Sequence, residues 1–379
     1  MSDSAEYFLD DTSHYNRINI RALALAFKGY NEIRQGNHEI GYHYFKNSIN
    51  MKPNFQATKL IGFLLHRPYP VFRITSNSFA ERYPNFSPDN SQIAFIADCE
   101  QLEIDDGIFV NTILYQREIR IFDIADSSII TLDTEGIKGI INYVRFTPDG
   151  KDIIYTARKS SRGVDLLGAD TAGIIYSYNF ESGQNKAYTS KNTRGRAPLM
   201  TDNGKLIYTL RTINIYNPKN NKTHKSPWNK YDWPYAIDYM DYDDGLIAYR
   251  AFSERKSGIF LTDTLLWETK TITSKLDNSY YPAFKYREKI IAFITEEEGG
   301  DEIYFYSLED ASYTKITNSG GKKAYLSFSS DGTRILFCQK PLGKPDPYYD
   351  IYCIDTREPR RREELLAYLD SMININYEN

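Results

Sequence analysis

The chain has 379 residues and a formal net charge of −4 at pH 7, and 41% of its residues are hydrophobic. This charge balance gives no reason to expect nucleic acid or an anionic membrane as the main partner, and we expect neither. No apolar run approaches the roughly 20 residues of a membrane-spanning helix, so no transmembrane segment is predicted.

The first residues, MSDSAEYFLDDTSHYN, are polar and acidic. They lack the basic and apolar regions of a secretory signal peptide. We therefore expect a soluble, cytoplasmic chain as the sequence stands, and a periplasmic or cell-envelope protein if the N terminus has been trimmed.

Residues 1–68 are expected to form a helical module with the segments NIRALALAFKGYNEIRQG, NHEIGYHYFKNSINMKP and NFQATKLIGFLL. The spacing of its glycines, aromatics and proline resembles one tetratricopeptide-type helical hairpin with a capping helix, on the residues Gly29, Gly36, Phe45 and Pro53. A single such unit cannot bury both of its faces, so it is expected to pack against the next domain or a partner. The alternative is an ordinary helical cap that binds nothing.

A turn-containing motif then recurs six times, beginning with YPNFSPDNSQIAF at Tyr83–Phe95. The later copies contain FTPDG, TDNG, YDDG, YREK and SSDG. The equivalent turn positions, at intervals of 41 to 60 residues, are Ser87, Thr147, Thr201, Tyr242, Lys285 and Ser329. A period of about 40–50 residues with several strands in each copy is typical of propeller blades.

The motif is interpreted as a tight hairpin between the first two strands of each blade. Pro88 and Pro148 preset φ at the first turn position, and glycines such as Gly150 and Gly332 accept the positive φ that follows. The run after each turn, such as IAFIA or IIYTA, is predicted to be a strand buried between neighbouring sheets.

Two further strands are predicted in each blade, and a threonine marks the fourth strand. The threonines that lie twelve residues before the next turn position are Thr75, Thr189, Thr273 and Thr317. The array therefore opens with a fourth strand that has no preceding strands, while the sixth copy has no clear fourth strand. The prediction is that Val71–Ser76 completes the sixth blade, which closes the ring and removes exposed sheet edges.

The pattern SPD[GN]…IAF, with third strands such as IRIFDI, resembles the TolB-like propeller repeat over residues 69–356. The resemblance implies a mainly β fold: a six-bladed β-propeller closed by an N-terminal strand, preceded by the helical hairpin module and followed by a short C-terminal helix. Propellers of this kind often act in the bacterial cell envelope. The repeat also resembles the propeller of prolyl oligopeptidases, although only a short tail follows here in place of their hydrolase domain.

The C-terminal segment, residues 357–379, is predicted to contain the helix PRRREELLAYLDSMI. One face of this helix is apolar and is formed by Leu365, Leu366, Leu369, Met372 and Ile373. We expect this face to dock on the N-terminal helices or on the propeller flank. The basic run Arg360–Arg362 is followed by two glutamates, so it is interpreted as solvated surface and not as a nucleic-acid patch.

Residue types that commonly carry catalysis are sparse within the propeller. Of the five His only His224 lies there, and no CxxC, GxSxG, P-loop or dinucleotide-binding motif is present. We therefore expect no catalytic residue, no metal and no cofactor. Cys338 and Cys353 are expected to be reduced thiols, and the acidic runs at 103–107 and 296–302 to be solvated loops.

Three long connections distinguish blades 1, 2 and 6, which are consecutive around a closed ring: Asp98–Gln116, Arg158–Gly173 and Lys340–Tyr349. All three join a second strand to a third, so they emerge on one face of the propeller. Long loops in a compact fold are commonly functional. We expect a partner-binding rim here, with the candidate residues Asp105, Asp106, Arg162, Asp165 and Tyr348.

A second candidate set lies on the innermost strands. Four tyrosines sit four residues before a turn position: Tyr83, Tyr143, Tyr281 and Tyr325. Three polar residues follow two positions later: Asn85, Arg145 and Ser327. We expect both groups near the channel mouth on the face of the long loops, where tyrosine is well suited to binding. The alternative is that the tyrosines wedge between blades.

Together these patterns favour a non-catalytic protein–protein interaction scaffold that binds a partner through the loop-rich face and, in a finer hypothesis, through the helical module. The alternative is an enzyme or a small-ligand binder, for peptides or carbohydrates, that uses the channel mouth.

Overall fold

A computed structural model describes residues 14–35, 37–51, 69–104, 112–134, 140–158, 172–190, 194–210, 212–227, 237, 239–253, 256–265, 267–273, 276, 278–297, 300–317, 321–340 and 349–357. The chain divides into two compact units, of which the larger comprises Val71–Thr314 and Gly321–Arg357 and the smaller contains the N-terminal helices. The predicted C-terminal helix lies outside the described residues.

Two helices, α1 (His14–Arg34) and α2 (His38–Met51), pack against each other in the smaller unit. The hydroxyl of Ser48 on α2 donates to the carbonyl oxygen of Ala22 on α1. Gly29 permits the close approach, because a Cβ there would lie 2.8 Å from the carbonyl oxygen of Gly41. The tetratricopeptide resemblance stays a prediction, since Pro53 and the capping helix lie outside the described residues.

The larger unit is a six-bladed β-propeller of four-stranded antiparallel sheets, as predicted. From the innermost strand outward, the blades are β2 (Glu81–Phe86), β3 (Gln92–Ile104), β4 (Thr112–Asp123) and β5 (Ile129–Thr131); β6 (Ile140–Phe146), β7 (Asp152–Arg158), β8 (Ile174–Asn179) and β9 (Asn185–Ala187); β10 (Arg196–Met200), β11 (Leu206–Leu210), β12 (Thr212–Asn217) and β13 (Lys222–Lys225); β14 (Met240–Asp243), β15 (Leu246–Ser253), β16 (Lys256–Asp263) and β17 (Thr269–Thr271); β18 (Ser279–Lys285), β19 (Ile290–Glu297), β20 (Gly300–Ser307) and β21 (Tyr313–Lys315); and β22 (Lys323–Phe328), β23 (Arg334–Gln339), β24 (Asp350–Asp355) and β1 (Val71–Arg73). Each innermost strand contacts the innermost strands of both neighbouring blades, so the ring is closed.

The ring closes through β1, which pairs antiparallel with β24 in the sixth blade. In that pairing Val71 lies opposite Ile354, and Arg73 lies opposite Tyr352. The predicted closure by the segment that begins at Val71 is therefore confirmed. It supplies the fourth strand that the sixth sequence copy lacks.

The threonine that marks each fourth strand has a defined partner. Its hydroxyl accepts the backbone N–H of an isoleucine on the third strand of the same blade. The pairs are Thr189 with Ile175 (2.8 Å), Thr273 with Ile259 (2.9 Å) and Thr75 with Ile351 (2.9 Å). In blade 3 the hydroxyl of Ser226 accepts the N–H of Ile213 at 3.2 Å. Thr75 therefore does for the closing strand what the other residues do within a continuous blade.

The high aromatic content is explained largely by the middle of each blade. An aromatic residue occupies the same position of every second strand, and all six are buried: Phe95, Tyr155, Tyr208, Tyr249, Phe293 and Phe337. In four blades its ring stacks on an aromatic residue of the third strand at 5.7–6.1 Å. Such pairs contribute about 0.5–1.5 kcal/mol beyond the burial of apolar area.

Two connections differ from the predicted loops. The acidic run at 296–302 belongs to the two strands β19 and β20, whose last described pair is Glu297 with Gly300. Asp301 and Glu302 are buried there, with Lys322 and Lys323 close enough for ion pairing, so the solvated-loop interpretation is wrong for these residues. The strands pair as a hairpin because positive charge from the next blade offsets the carboxylates.

The blade 1 insertion is largely a β-ribbon. Strands β3 and β4 continue past a bulge between Asp98 and Glu100 and pair as far as Ile104 with Thr112. Residues 105–107 of the acidic run at 103–107 lie outside the described residues. Cys338 and Cys353, on the adjacent strands β23 and β24, are free thiols as expected.

A buried carboxyl group sits at the closing seam. Glu81 begins β2 and is fully buried, and its carboxyl oxygens accept hydrogen bonds from Thr75, Asn77 and the N–H of Ile351. Burial raises the pKa of Glu81 from 4.5 to about 7, and the nearby Asp350 adds to the effect, while the hydrogen bonds oppose it.

We predict that this group makes the propeller less stable as the pH rises. Between pH 4.5 and 7 the folded chain keeps a proton that the unfolded chain has released, so the free energy of unfolding falls by about 3 kcal/mol. Glu81→Gln removes the titration, and the difference in unfolding free energy between the two proteins is expected to change by that amount over this range. Urea unfolding at pH 4.5, 6 and 7.5 measures it.

The matched control is Glu309→Gln, because the carboxylate of Glu309 is largely exposed beside Lys289. This variant is expected to leave the pH dependence unchanged. A difference between wild type and Glu81→Gln that stays constant with pH would contradict the assignment.

Candidate functional site

The innermost strands share a bulge at one position. In five blades the pairing register shifts there, and the residue at the bulge has a positive φ: Tyr83 (54°), Tyr143 (56°), Ala197 (45°), Tyr281 (53°) and Tyr325 (60°). Left-handed backbone is unfavourable for a bulky side chain, so the surrounding structure must hold it in place. The four predicted tyrosines therefore share a strained conformation and not only a sequence offset.

The tyrosine rings meet one another between the blades. Tyr83 lies 4.9 Å from Tyr143 and 4.3 Å from Tyr325, measured between ring centroids. Tyr281 lies 4.9 Å from Tyr325 and 5.1 Å from Tyr239 of blade 4. These five residues form a continuous series of contacts across five blades, here called the tyrosine arc. Blade 3 carries the small Ala197 at the equivalent position.

The arc fills the space between the innermost strands. The hydroxyl of Tyr239 in blade 4 donates to the carbonyl oxygen of Leu326 in blade 6 at 2.8 Å, past the blade between them. Burial raises the pKa of Tyr239 to about 12, and it also raises the pKa of Tyr83 well above its ordinary value. The rings are therefore neutral and tightly packed, and the tyrosines contact each other instead of lining an open mouth.

An ionic network holds the arc from one side. Asp98 is buried between Arg82 and Arg117, each 2.9 Å away, and Arg82 also donates to the hydroxyl of Tyr325 at 3.2 Å. Arg117 continues to the side chain of Asn142 in blade 2. Burial alone would lower the pKa of Arg82, but Tyr325 and Asp98 raise it above its ordinary value. Three blades are joined by this network.

A second ion pair crosses the axis on the other side of the arc. Arg145 of blade 2 contacts Asp241 of blade 4 at 2.6 Å and donates to the carbonyl oxygen of Met240 at 2.9 Å. The second carboxylate oxygen of Asp241 accepts the N–H of Phe284 in blade 5 at 2.8 Å. Burial opposes the charge of Arg145, but Asp241 and Tyr239 raise its pKa. Asp241 therefore binds a cation and a backbone donor from two other blades.

The other two predicted polar residues also join neighbouring blades. The side-chain oxygen of Asn85 accepts the N–H of Phe146 at 3.0 Å, and Ser327 donates to the carbonyl oxygen of Pro84 at 2.8 Å. Together with Arg145, these residues form a polar belt two residues beyond the tyrosines.

The belt borders a cavity of about 370 Å³ at the axis. The cavity is also lined by the turn residues Ser87, Pro88, Thr147 and Pro148, so it lies on the face of the hairpin turns, here called the turn face. The expectation that Asn85, Arg145 and Ser327 share a mouth with the long loops is wrong. They lie on the opposite side because an innermost strand runs from the loop face to its turn.

One wall of this cavity is acidic and the remainder is largely aromatic and hydroxylic. The acidic wall consists of Asp202, Asp241, Asp243 and Asp244, and Arg145 is the one cation among the described lining residues. Burial raises the pKa of Asp243, and the other three aspartates add to the effect. The aromatic residues that line the cavity are Phe86, Phe146, Tyr242, Phe284, Tyr286 and Phe328. The arrangement can accept a cationic group beside an apolar one.

The turn hydroxyls at the cavity are occupied. Each donates to a side chain two residues later: Ser87 to Asp89 (2.6 Å), Thr147 to Asp149 (2.7 Å), Thr201 to Asn203 (2.7 Å) and Ser329 to Asp331 (2.6 Å). Each also accepts a backbone N–H from the start of the next strand. Sequence reasoning missed this role, although Ser or Thr occupies four of the six turn positions.

The remaining predicted site residues do not enter this geometry. Asp105, Asp106, Arg162, Asp165 and Tyr348 lie outside the described residues. Within the part of the chain that is described, no group of three or more His, Cys, Asp or Glu could hold a metal ion. The described helices include none that is long and apolar enough to cross a membrane.

No protein-family model and no curated protein matches the sequence. Solved structures match its fold. TolB from Acinetobacter baumannii has a TM-score of 0.50 at 16% identity, over 66% of this chain and 57% of that chain. A TolB-type protein from Agrobacterium tumefaciens has a TM-score of 0.50 at 12% identity, over 75% and 96%. The tricorn protease has a TM-score of 0.50 at 17% identity, over 76% and 25%.

At these identities the likeness shows the fold alone. It confirms the predicted TolB-like six-bladed propeller. The chain spans little more than half of the Acinetobacter baumannii protein and a quarter of the tricorn protease. Since a protease has a similar fold, function has to be argued from the site.

We predict that glycine is the better replacement for Tyr83. Both Tyr83→Ala and Tyr83→Gly lose the ring, which is expected to cost about 3–5 kcal/mol of unfolding free energy. Glycine adopts the positive φ of 54° without steric cost, so Tyr83→Gly is expected to be more stable than Tyr83→Ala by about 1 kcal/mol. Urea unfolding of the two variants measures the difference.

Lys270 provides the control, because it is an exposed position of the regular strand β17. There alanine is expected to be more stable than glycine by about 0.5–1 kcal/mol, the usual order in a strand. The same order at both positions would contradict the assignment of backbone strain to the bulge.

Proposed function

We propose that the chain is a non-catalytic scaffold that binds a protein partner at the turn face of its propeller. The observation that carries the proposal is the cavity of about 370 Å³ in front of the polar belt and the tyrosine arc. Because the arc fills the axis behind it, a ligand that enters from the turn face meets a floor. Concave sites of a few hundred Å³ at such positions are typical binding sites.

The chemistry of the described lining supports binding more than catalysis. The hydroxyls of Ser87, Thr147, Thr201 and Ser329 are bonded within their own turns. Asp241 is held by Arg145 and by the N–H of Phe284, so it is a positioning group. The described lining residues include neither His nor Cys. A nucleophile with an adjacent base is therefore not assembled among them.

The partner is expected to insert a Lys or Arg side chain. Asp202, Asp243 and Asp244 face a cavity whose described cation, Arg145, already contacts Asp241. The raised pKa of Asp243 reflects burial together with mutual repulsion among these carboxylates, and a cation beside them relieves that repulsion. The surrounding aromatic rings can contact the methylene groups of the inserted side chain.

The proposal is tested by a pull-down from native extract, followed by mass spectrometry. The wild-type chain is expected to retain a stoichiometric protein partner. The double variant Asp243→Asn, Asp244→Asn is expected to retain at least tenfold less, because two of the charges that attract the cation are gone. Retention that is unchanged in the variant, or the absence of any stoichiometric partner, would refute binding at this cavity.

The matched control is Asp310→Asn, at an exposed turn of blade 5 where the side chain caps the N–H of Ser312. Asparagine preserves this cap, so neither folding nor retention of the partner is expected to change. The predicted rim is tested in parallel by deletion of residues 159–171. Loss of binding with unchanged thermal stability would assign the partner to the loop face instead.

The second candidate function is a small-ligand binder that uses the same cavity, favoured by its size and mixed lining. Under that alternative a thermal-shift screen with amines, basic peptides and sugars is expected to give a saturable shift with one compound. The Asp243→Asn, Asp244→Asn variant is expected to lose a shift caused by a cationic compound. A partner recovered at stoichiometry together with no saturable shift would favour the scaffold.

A further inference from the structure

The outer edges of the six blades differ in one respect. Five outermost strands contain a basic residue: Arg73 on β1, Lys186 on β9, Lys222 and Lys225 on β13, Lys270 on β17, and Lys315 on β21. Lysine and arginine on an edge strand discourage the addition of another strand. Strand β5 of blade 1 instead consists of Ile129, Ile130 and Thr131, and all three residues are exposed. Its edge lacks the protection that the other five have.

The backbone of β5 is oriented to accept another strand. The N–H of Leu132 donates to the carbonyl oxygen of Ile119 on β4, and the carbonyl oxygen of Ser128 accepts the N–H of Asp123. Because successive residues of an antiparallel strand point their backbone groups in opposite directions, Ile129 and Thr131 direct theirs away from β4. Two N–H groups and two carbonyl oxygens therefore face outward.

The charge around this edge is strongly negative. Residues 98–134 contain nine acidic and two basic residues, a local excess of seven negative charges in a chain whose net charge is −4. Both basic residues are engaged, Arg117 with Asp98 and Arg120 with Glu118. Asp126 and Asp133, which flank β5 on either side, are exposed. An occupant of this edge is expected to be basic.

We propose that β5 is a docking edge for an extended, basic segment of a partner protein, which adds a fifth strand to blade 1. Backbone hydrogen bonds to Ile129 and Thr131 supply the pairing, apolar side chains of the segment cover Ile130, and flanking Lys or Arg residues meet Asp126 and Asp133. This is recognition by strand addition. It is independent of the turn-face cavity, which lies at the axis and not at the perimeter.

A second copy of the chain is a poorer occupant of this edge. Antiparallel pairing of two β5 strands about Ile130 would bring Asp126 of one copy close to Asp133 of the other. Like charges at such positions are destabilising. Three residues per copy also give a much smaller contact than a stable dimer needs.

The test uses a fluorescein-labelled synthetic peptide, KKTIVITVKK, with fluorescence anisotropy as the readout. Saturable binding to the full chain is expected. Ile130→Lys gives β5 the protection of the other edges and is expected to weaken binding at least tenfold. Thr131→Pro removes one outward N–H and leaves the inward hydrogen bonds intact, with a similar expected loss. Ile130→Val, the matched control, is expected to bind within twofold of wild type.

A peptide with acidic ends, EETIVITVEE, is expected to bind at least tenfold more weakly. The proposal is overturned if the basic peptide shows no saturable binding, if Ile130→Lys binds as tightly as Ile130→Val, or if both peptides bind equally. It is also overturned if light scattering shows a dimer that Ile130→Lys dissociates, since the occupant is then a second copy. The Asp243→Asn, Asp244→Asn variant is expected to bind the basic peptide normally, so failure here and failure at the cavity are distinguishable.

Discussion

The pairing of β1 with β24 is the constraint on which the rest of the structure depends. Three residues, Val71–Arg73, supply the edge that turns a linear array of blades into a ring. Behind them Thr75 and Glu81 meet the N–H of Ile351, so the closing strand is also tied to the innermost strand of blade 1. Only in a closed ring can the innermost strands of blades 6 and 1 face each other and bring Tyr325 against Tyr83.

The repeated scaffold is regular, but its axis is not. Positions that hold an aromatic or methionine in five blades hold Asp241 in the fourth, and the bulge that holds tyrosine in four blades holds Ala197 in the third. These exceptions create the ion pair with Arg145 across the axis and the acidic wall of the turn-face cavity. In a fold built from equivalent units, the functional candidates are therefore the positions at which the units differ.

The number of blades, the closing strand and the recurring threonine could all be predicted, because each is a local pattern repeated at a fixed spacing. The tyrosine arc could not. It depends on a bulge in the innermost strands, and alternation of residue types does not reveal where two residues oppose one. The contact of Arg145 with Asp241 joins residues 96 positions apart in non-adjacent blades. The side of the cavity was misassigned because the tyrosines were treated as the end of an open channel.

The geometry of the closing strand also determines how the ring responds to force. Val71 pairs near the last residue of β24, so the chain enters and leaves the propeller at the same end of this two-strand seam. Tension applied between the flanking segments would separate the seam like a zipper, one hydrogen bond at a time, instead of loading all the bonds together in shear. Blade 6 would therefore be the first to open under load, and a partner that holds both flanking segments together would strengthen the whole ring mechanically.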